Sequence, residues 1–438
     1  MTPFLAAAFD FAPGTYAPRD TRAYAFVSTF GHLGEPFRRS IDPIPPWNEG
    51  RRIDLEEALR LLHKQKVEPL KKNNRSNEEP SGARKAVAVP VLNALEEFSP
   101  VLDELRAASA RPKSRFNLNY KEKEHWNLAQ PHLDVLRKTS VILAVRASAE
   151  LAVENSAAAM DDLGLMIFLA DSIREEPLWS SQWARGLLLG HARQVIWEGL
   201  ADRRWSDAQL EQLQFRLQQI DLLGGLTTRL KLERATGDQI FEMVRERPAV
   251  VKGWFGPGFV GWARRFVIRR RPSGWLDQDR IYYHRLWDKL QPGLNLEGQT
   301  ISPKIIKNVA RVGFLPLPDH LLANALFEGP GDILMDLALA QTAINETILA
   351  CALERYRLIQ GGLPETLDAL NATSIKKALH DVITGEPLKY QRISDGRFKL
   401  YSIGWNETDD GGIVATNKSS KATDSSQGDW VWPSYPVK

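Results

Sequence analysis

The sequence predicts a mainly α protein, a helical bundle or short α-solenoid with a small C-terminal α+β module. Apolar residues recur with helical spacing almost throughout residues 86–245. Ser206 and Gln209 form a capping-box pattern at the start of one predicted helix. Near the C-terminus, two segments of alternating polarity flank Asp395-Gly396, which is a two-residue hairpin signal. Paired helices with short turns and one late hairpin are typical of this fold class.

Changes in composition divide the 438 residues into five predicted segments. In order, they are an extended N-terminal segment, a helical body, a basic-aromatic and Pro/Gly-rich connecting region, the α+β module, and a polar tail that ends in an aromatic anchor. Their predicted bounds are residues 1–50, 51–250, 251–330, 331–414 and 415–438. The tail is expected to be polar and mobile from Ala415 to Gly428.

The helical body is predicted to contain two helical hairpins, because apolar stripes are separated by short capped turns. The predicted helices cover residues 133–153, 156–173, 182–200 and 207–222. A first helix over 54–67 is predicted from Asp54, a candidate cap, and a last long helix is predicted over 332–359. The single cysteine, Cys351, lies on the apolar face of that last helix, which favours a buried structural thiol.

Composition excludes several classes of protein. The net charge of +3 is too small for a nucleic-acid-binding field over the whole molecule. The first apolar run is short and is broken by Asp10, so it predicts neither a signal peptide nor a membrane span. The fingerprints of serine hydrolases, zinc proteases, P-loop enzymes and dinucleotide-binding enzymes are all missing from the sequence.

The candidate catalytic residues are His132, Arg146 and Glu150. His132 could act as a base with arginine and glutamate neighbours, which would suit a hydrolase-like enzyme with its site in the helical core. The alternative is a structural histidine at a helix start, beside an ion pair between Arg146 and Glu150 at helical i,i+4 spacing. Similarly, Glu175 and Glu176 are either paired acids or, as the sequence favours, a solvated helix end.

A basic and aromatic segment is the best binding candidate outside the C-terminal module. No acid occurs between Lys252 and Asp277. The predicted apolar stripe consists of Phe259, Trp262, Ala263, Phe266 and Val267. The candidate surface-binding residues are Trp262, Arg264, Arg265, Arg269, Arg270 and Arg271. Either the stripe packs on the protein body with the arginines in water, or the helix lies on a membrane surface; nucleic-acid binding ranks last.

The C-terminal module carries an ordered set of short motifs after its long helix. They are Gly361-Gly362-Leu363-Pro364, Thr384-Gly385-Glu386-Pro387-Leu388-Lys389-Tyr390, Tyr401-Ser402-Ile403-Gly404 and Asp409-Asp410-Gly411-Gly412. Over about residues 335–412, this order resembles the C-terminal half of the major pseudopilins of type II secretion. The resemblance implies a calcium-binding last loop, and the corresponding ligands are Asn406, Glu407, Asp409 and Asp410.

A second resemblance extends over most of the chain. Its motifs include Met1-Thr2-Pro3-Phe4-Leu5, Trp197-Glu198-Gly199-Leu200, Trp205-Ser206-Asp207-Ala208-Gln209-Leu210 and Gly428-Asp429-Trp430-Val431-Trp432. They are similar to those of a helical family from planctomycete-type bacteria that has no assigned activity. Members often carry a membrane anchor before the Thr-Pro-Phe-Leu element. The resemblance implies a cell-envelope location and an N-terminal anchor segment that this chain lacks.

These observations together predict a non-enzymatic scaffold or protein-interaction protein of the bacterial cell envelope. Its expected partners are other envelope proteins and the membrane surface, and calcium is the one cofactor suggested. The alternatives are the hydrolase-like enzyme near His132 and peripheral membrane binding through Arg264–Arg271.

Overall fold

The described part of the chain is mainly helical, with small antiparallel sheets in its C-terminal half. The computed structural model describes residues 44–45, 49–63, 81–111, 113–116, 118, 130–253, 259–270, 272–313, 320–327, 329–370, 379–393, 396–417 and 423–435. The predicted N-terminal segment 1–50 therefore lies almost entirely outside the described residues, as do positions 64–67 of the first predicted helix.

The α-helices are named here in chain order. They are α1 (Leu55–His63), α2 (Ser81–Leu95), α3 (Ser99–Ser109), α4 (Pro131–Ala152), α5 (Ser156–Ser172), α6 (Trp179–Ala201), α7 (Asp207–Leu217), α8 (Leu226–Glu246), α9 (Phe259–Arg270), α10 (Ser273–Leu290), α11 (Pro303–Gly313), α12 (Leu321–Leu326) and α13 (Pro330–Gln360). Short 3-10 helices cover Glu96–Phe98, Pro248–Gly253, Gln291–Gly293 and Leu367–Ala369.

The first hydrophobic core is a helical bundle. Helices α4, α5 and α6 pack on one another, α2 covers α4, and α7 packs on α13. The local signals in the sequence set the helix starts: the Asn155 side chain accepts from the backbone N–H of Ala158, and Ser206 and Gln209 form the predicted capping box. In a solenoid each unit contacts only its neighbours. Here α13, which is distant in sequence, packs against α6 and α7, so the arrangement is a bundle.

The second hydrophobic core lies where the sequence predicted a connecting region, 251–330. It is built by α8, α10, α11 and α12, with Tyr283, Leu286 and Trp287 of α10 buried at its centre. The described residues of 251–330 are thus mostly helical. Pro303 and Pro330 stand at the first positions of helices, where proline is well tolerated.

Helix α13 joins the two cores. It begins after Gly329 and ends at Gly361, both with positive φ, which suits residues without a Cβ. Its first half packs in the second core and its second half in the first core. Cys351 is fully buried there, as predicted. The helix of the predicted module 331–414 therefore contributes to both cores.

The strands form three small sheets within the described residues. They are β1 (Leu294–Asn295), β2 (Thr300–Ile301), β3 (Lys389–Ile393), β4 (Arg397–Ser402), β5 (Val414–Thr416), β6 (Thr423–Gly428) and β7 (Trp430–Val431). The sheet orders are β1-β2, β3-β4-β7 and β5-β6. The pairing of Ile393 with Arg397 confirms the predicted hairpin, although three residues rather than two separate the paired positions.

The C-terminal tail is more ordered than predicted. Strand β6 pairs with β5 in the segment expected to be mobile. The aromatic pair does anchor the chain: Trp430 is buried in the second core and Trp432 in the first. The tail therefore helps α13 to hold the two cores together.

One stretch, Leu321–Gln360, is long and apolar enough to cross a membrane by length and composition. However, 72% of its most apolar window is buried inside the protein, as expected of a core helix.

Candidate functional site

His132 lies in a buried polar cluster, but its partners differ from those predicted. Its imidazole Nε2 lies 3.0 Å from a carboxylate oxygen of Glu176, and its ring stacks on Phe116 with centroids 4.3 Å apart. The Ser181 hydroxyl donates to the same carboxylate. Glu176 is therefore buried and bonded, which corrects the predicted solvated helix end; Glu175 beside it is exposed.

The geometry of this cluster does not favour a hydrolase. In nucleophilic hydrolysis a histidine lies between the serine and the acid, so that it can take the hydroxyl proton. Here the carboxylate of Glu176 lies between His132 and Ser181. All three side chains are buried, and the cluster ties the loop after α5 to the start of α4.

Arg146 and Glu150 do not form the pair that the sequence predicts. The Arg146 guanidinium binds both oxygens of Asp162 on α5, with Nε to Oδ2 at 2.8 Å, while the Glu150 carboxylate accepts from the Asn155 side chain. Burial raises the pKa of Asp162 to about 6, and the guanidinium opposes that rise. The predicted bond within one helix is replaced by a buried bond between two helices, so Arg146 has a structural role.

The acidic-glycine loop of the predicted calcium site is closed by hydrogen bonds within the protein. Asp409 accepts from the Tyr401 hydroxyl at 3.1 Å, and Asn406 donates to Asp410 at 2.9 Å. Lys399 donates to the carbonyl of Gly411. Glu407 has a positive φ and lies in the turn between them.

Asp429 is the side chain that organises this loop. It accepts from the backbone N–H groups of Gly412 at 2.6 Å and Asp410 at 3.2 Å, and burial raises the pKa of its carboxyl while these bonds lower it. Within the described ranges, no group of three or more His, Cys, Asp or Glu side chains could hold a metal ion. Calcium binding at Asn406, Glu407, Asp409 and Asp410 stays a prediction.

Helix α9 carries the aromatic and basic residues, and its orientation is the main finding at this surface. On α9, Gly261 and Ile268 are buried and therefore face the body of the protein. Trp262 and Phe266 instead point outward, with 54% and 48% of their surface exposed. Their rings stack with centroids 5.5 Å apart. The predicted stripe therefore faces away from the protein body at these two positions.

The arginines surround this aromatic pair. Arg264, Arg269 and Arg270 are exposed and Arg265 is half-buried, while Arg271 lies outside the described residues. The Arg270 guanidinium lies over the Phe266 ring, 5.6 Å from its centroid, in a cation–π contact. Arg264 and Arg265 also have partners of their own.

Few elements hold α9 to the body. It packs on the 3-10 helix Pro248–Gly253 and on α12. Trp275, in the first turn of the next helix, is also 43% exposed. The surface formed by Trp262, Phe266, Arg269 and Arg270 is called the α9 surface below. It combines exposed aromatic rings with positive charge and has no acid in its own helix.

Sequence reasoning missed the buried charges on the central helices. Glu346 of α13 is fully buried, and Arg193 of α6 is buried beside it. The only sequence signal was a charged residue inside an otherwise apolar helix, and a partner on another helix cannot be read from spacing.

No protein-family model, no curated protein and no solved structure matches this chain.

Proposed function

We propose that this protein is a non-enzymatic scaffold of the bacterial cell envelope that docks on anionic lipid bilayers through the α9 surface. The observation that carries the proposal is the outward direction of Trp262 and Phe266 on a helix without an acidic residue. An interfacial helix needs this combination, since its aromatic face enters the boundary between headgroups and acyl chains while its basic residues meet the phosphates.

Lipid fits the α9 surface better than single-stranded nucleic acid does. Bases bind by stacking on free aromatic faces. The rings of Trp262 and Phe266 already stack on each other, and Arg270 lies over Phe266. If both rings insert together into the membrane–water interface, their stacking and the contact with Arg270 are kept. Each arginine near an anionic surface contributes roughly 1 kcal/mol of attraction.

The proposal that the protein is a scaffold is supported by the buried ionisable side chains, which form bonds within the protein. His132 binds Glu176, and Arg146 binds Asp162, so these side chains join helices and loops within the core. The C-terminal segment, whose motifs resemble those of the pseudopilins, would offer a docking surface for other envelope proteins. A membrane anchor before Met1, as in the similar bacterial family, would add a second attachment to the same bilayer.

The direct test is sedimentation of the purified full chain with liposomes. The variant Trp262→Ser/Phe266→Ser is expected to bind anionic vesicles about tenfold or more weakly, because the removed rings can no longer bury apolar surface. Arg269→Gln/Arg270→Gln should weaken binding by about fivefold for each charge, and added salt should remove most of that difference. Vesicles of phosphatidylcholine alone should bind weakly.

The matched control is Phe215→Ser, which removes a ring that is 54% exposed on α7, a helix that packs in the first core. It should bind anionic vesicles as the unchanged protein does. No binding to anionic vesicles, or equal binding by all variants, would overturn the proposal. Binding to a single-stranded oligonucleotide in place of vesicles would overturn it in favour of nucleic acid.

A further inference from the structure

A band of buried polar side chains crosses α13 where the two hydrophobic cores meet. On one side of the band, Leu334 and Ala338 belong to the second core; on the other, Ile348 and Leu353 belong to the first. The buried polar side chains of the band are Gln341, Thr342, Asn345, Glu346 and Thr347. A helix that only had to fill a core would carry apolar residues here, so the band needs a physical reason.

Part of the band is fully bonded. The Gln341 side chain accepts from the backbone N–H of Leu222 at 2.9 Å and donates to Asn345 at 3.1 Å. Asn345 in turn donates to the carbonyl of His380 at 3.0 Å. These bonds tie the middle of α13 to the loop before α8 and to the segment before β3.

Glu346 is the exception. It is 0% exposed, and neither carboxylate oxygen accepts a hydrogen bond from any part of the chain that the structure describes. One turn earlier, the buried hydroxyl of Thr342 also has no hydrogen-bond partner among the described residues. A charged carboxylate without donors is very costly in an apolar interior, whereas a protonated carboxyl is much less so.

Two charged groups act on Glu346 from the elements packed around it. Arg193 of α6 attracts its negative form, and Asp381, in the segment before β3, repels it. Asp381 is itself held by the Ser402 hydroxyl at 2.8 Å and by the backbone N–H of Ile383 at 2.8 Å. Burial, the largest effect, raises the pKa of Glu346 well above its usual value, and Asp381 adds to the rise while Arg193 opposes it.

We infer that Glu346 is a proton-binding site that controls the junction between the two cores. With the proton bound, the carboxyl is neutral and α13 packs in both cores at once. When the proton leaves, a negative charge without hydrogen-bond donors remains at the junction, and the packing of α13 against α6 loosens. This inference is independent of the proposed membrane docking.

The pH dependence has a definite sign. A carboxyl with a raised pKa binds its proton more tightly in the folded state than in the unfolded state, where the pKa is about 4.5. The stability is therefore complete below that value and falls as the pH rises toward the folded-state pKa. If Glu346 and Arg193 instead formed a stable ionised pair, the folded-state pKa would lie below 4.5. The stability would then be constant above that value and would fall only at lower pH.

The test compares the unchanged chain with Glu346→Gln, which keeps the shape and removes the titration. We expect the unfolding constant of the unchanged chain, relative to the variant, to rise with pH by up to about tenfold per pH unit above pH 4.5. Other titrating groups are common to both chains and cancel in this ratio. A flat ratio, or one that falls with pH, would overturn the inference.

Two further measurements test the inference if Glu346→Gln folds poorly. Infrared difference spectra of the unchanged chain should contain a protonated-carboxyl band that persists above pH 4.5 and that Glu346→Asp shifts. Hydrogen-exchange protection factors in the middle of α13 should drop as the pH rises, while those at the α2–α4 contact stay constant. No carboxyl band sensitive to position 346, or uniform protection at every pH, would contradict proton binding at the junction.

Discussion

Two buried glutamates show how differently the two parts of the molecule are built. Glu198 of α6 lies in the first core and accepts from the backbone N–H of Ile53 at 2.6 Å, from Arg84 at 2.9 Å, and from the side chains of Ser148 and Gln194. Glu346 of α13 lies at the junction with the second core and accepts no hydrogen bond from the described residues. The first carboxylate is satisfied as an anion, whereas the second has no hydrogen-bond partner among the described residues and is much less costly to bury when it is neutral.

The contrast extends to the aromatic residues. In the first core Trp197 and Trp205 are buried, and their indole N–H groups donate to the carbonyls of Pro433 and Ile196. On the side of the second core, α9 exposes Trp262 and Phe266. The first core is thus a closed framework. The second core and its borders carry the exposed aromatic pair of α9, and Glu346 lies at the junction without a hydrogen-bond donor among the described residues.

The largest expected loss of stability tests whether the buried hydrogen bonds of the first core hold it together. Replacing Glu198 with Ala should lower the free energy of unfolding by about 3–5 kcal/mol, because it leaves the largely buried Arg84 guanidinium without its carboxylate. Urea denaturation measures the change. The control is Glu175→Ala at an exposed position, which should change stability by less than about 0.5 kcal/mol. A similarly small effect at Glu198 would remove the distinction between the two glutamates.

The next effect concerns close packing on α6. A Cβ at Gly199 would collide with the indole of Trp205, while a Cβ at Gly190 on the same helix would meet nothing within 4 Å. Gly199→Ala should therefore cost about 1–3 kcal/mol. Gly190→Ala should stabilise the protein by about 0.5–1 kcal/mol, since alanine is the better helix former. Equal melting temperatures for the two variants would mean that α6 is not tightly packed at Trp205.

Much of the fold could be predicted because its signals are local. The cap at Asn155, the capping box at Ser206 and the Asp395-Gly396 turn each depend on residues within a few positions of one another. The same holds for the helical periodicity of α13. The region 251–330 was predicted as a connector because its breaks are local, whereas the core that it forms depends on contacts with α8 and α13.

The candidate sites could be predicted only in part. The sequence identified the aromatic stripe of α9, yet it could not tell whether the body or the solvent faces Trp262. It placed Glu150 beside Arg146 by spacing, but Asp162 on the next helix is the actual partner. The buried contact between His132 and Glu176 likewise joins residues that are far apart in sequence. Such partners are fixed by how helices pack, which a periodic pattern does not specify.

A smaller change in stability distinguishes two interpretations of the loop that contains Asp409 and Asp410: a loop held by its own hydrogen bonds, or a calcium site. Asp429→Asn should lower the free energy of unfolding by about 1–2 kcal/mol, because one charge-assisted bond to the N–H of Gly412 or Asp410 is weakened. If the loop is closed by Asp429, added calcium will leave the melting temperature of the unchanged chain as it was. A calcium-dependent rise that disappears in Asp409→Asn/Asp410→Asn would instead establish the predicted metal site.

A second acid near the second core, Glu233 of α8, can be compared with Glu346, although Glu233 is only half-buried and solvent reduces its effect. Burial raises the pKa of Glu233 on α8 to about 8. Its proton is thus held more tightly in the folded state, and its contribution to stability falls as the pH rises from about 4.5 to about 8. Glu233→Gln should therefore match the unchanged chain at pH 4 and exceed it at pH 8.5 in urea denaturation. A larger stability gain at pH 4 than at pH 8.5 would contradict the assigned direction.

The central claim, that the α9 surface enters a membrane interface, is tested most directly by a fluorescent probe on α9 itself. Cys351 is buried and burial raises its thiol pKa to about 12, so a cysteine introduced as Ala263→Cys can be labelled selectively with an environment-sensitive dye. Anionic vesicles should shift the emission of this probe to the blue and shield it from a water-soluble quencher, while the same dye at Phe215→Cys stays unchanged. An unshifted, fully quenched probe on α9 in the presence of saturating anionic vesicles would contradict the account.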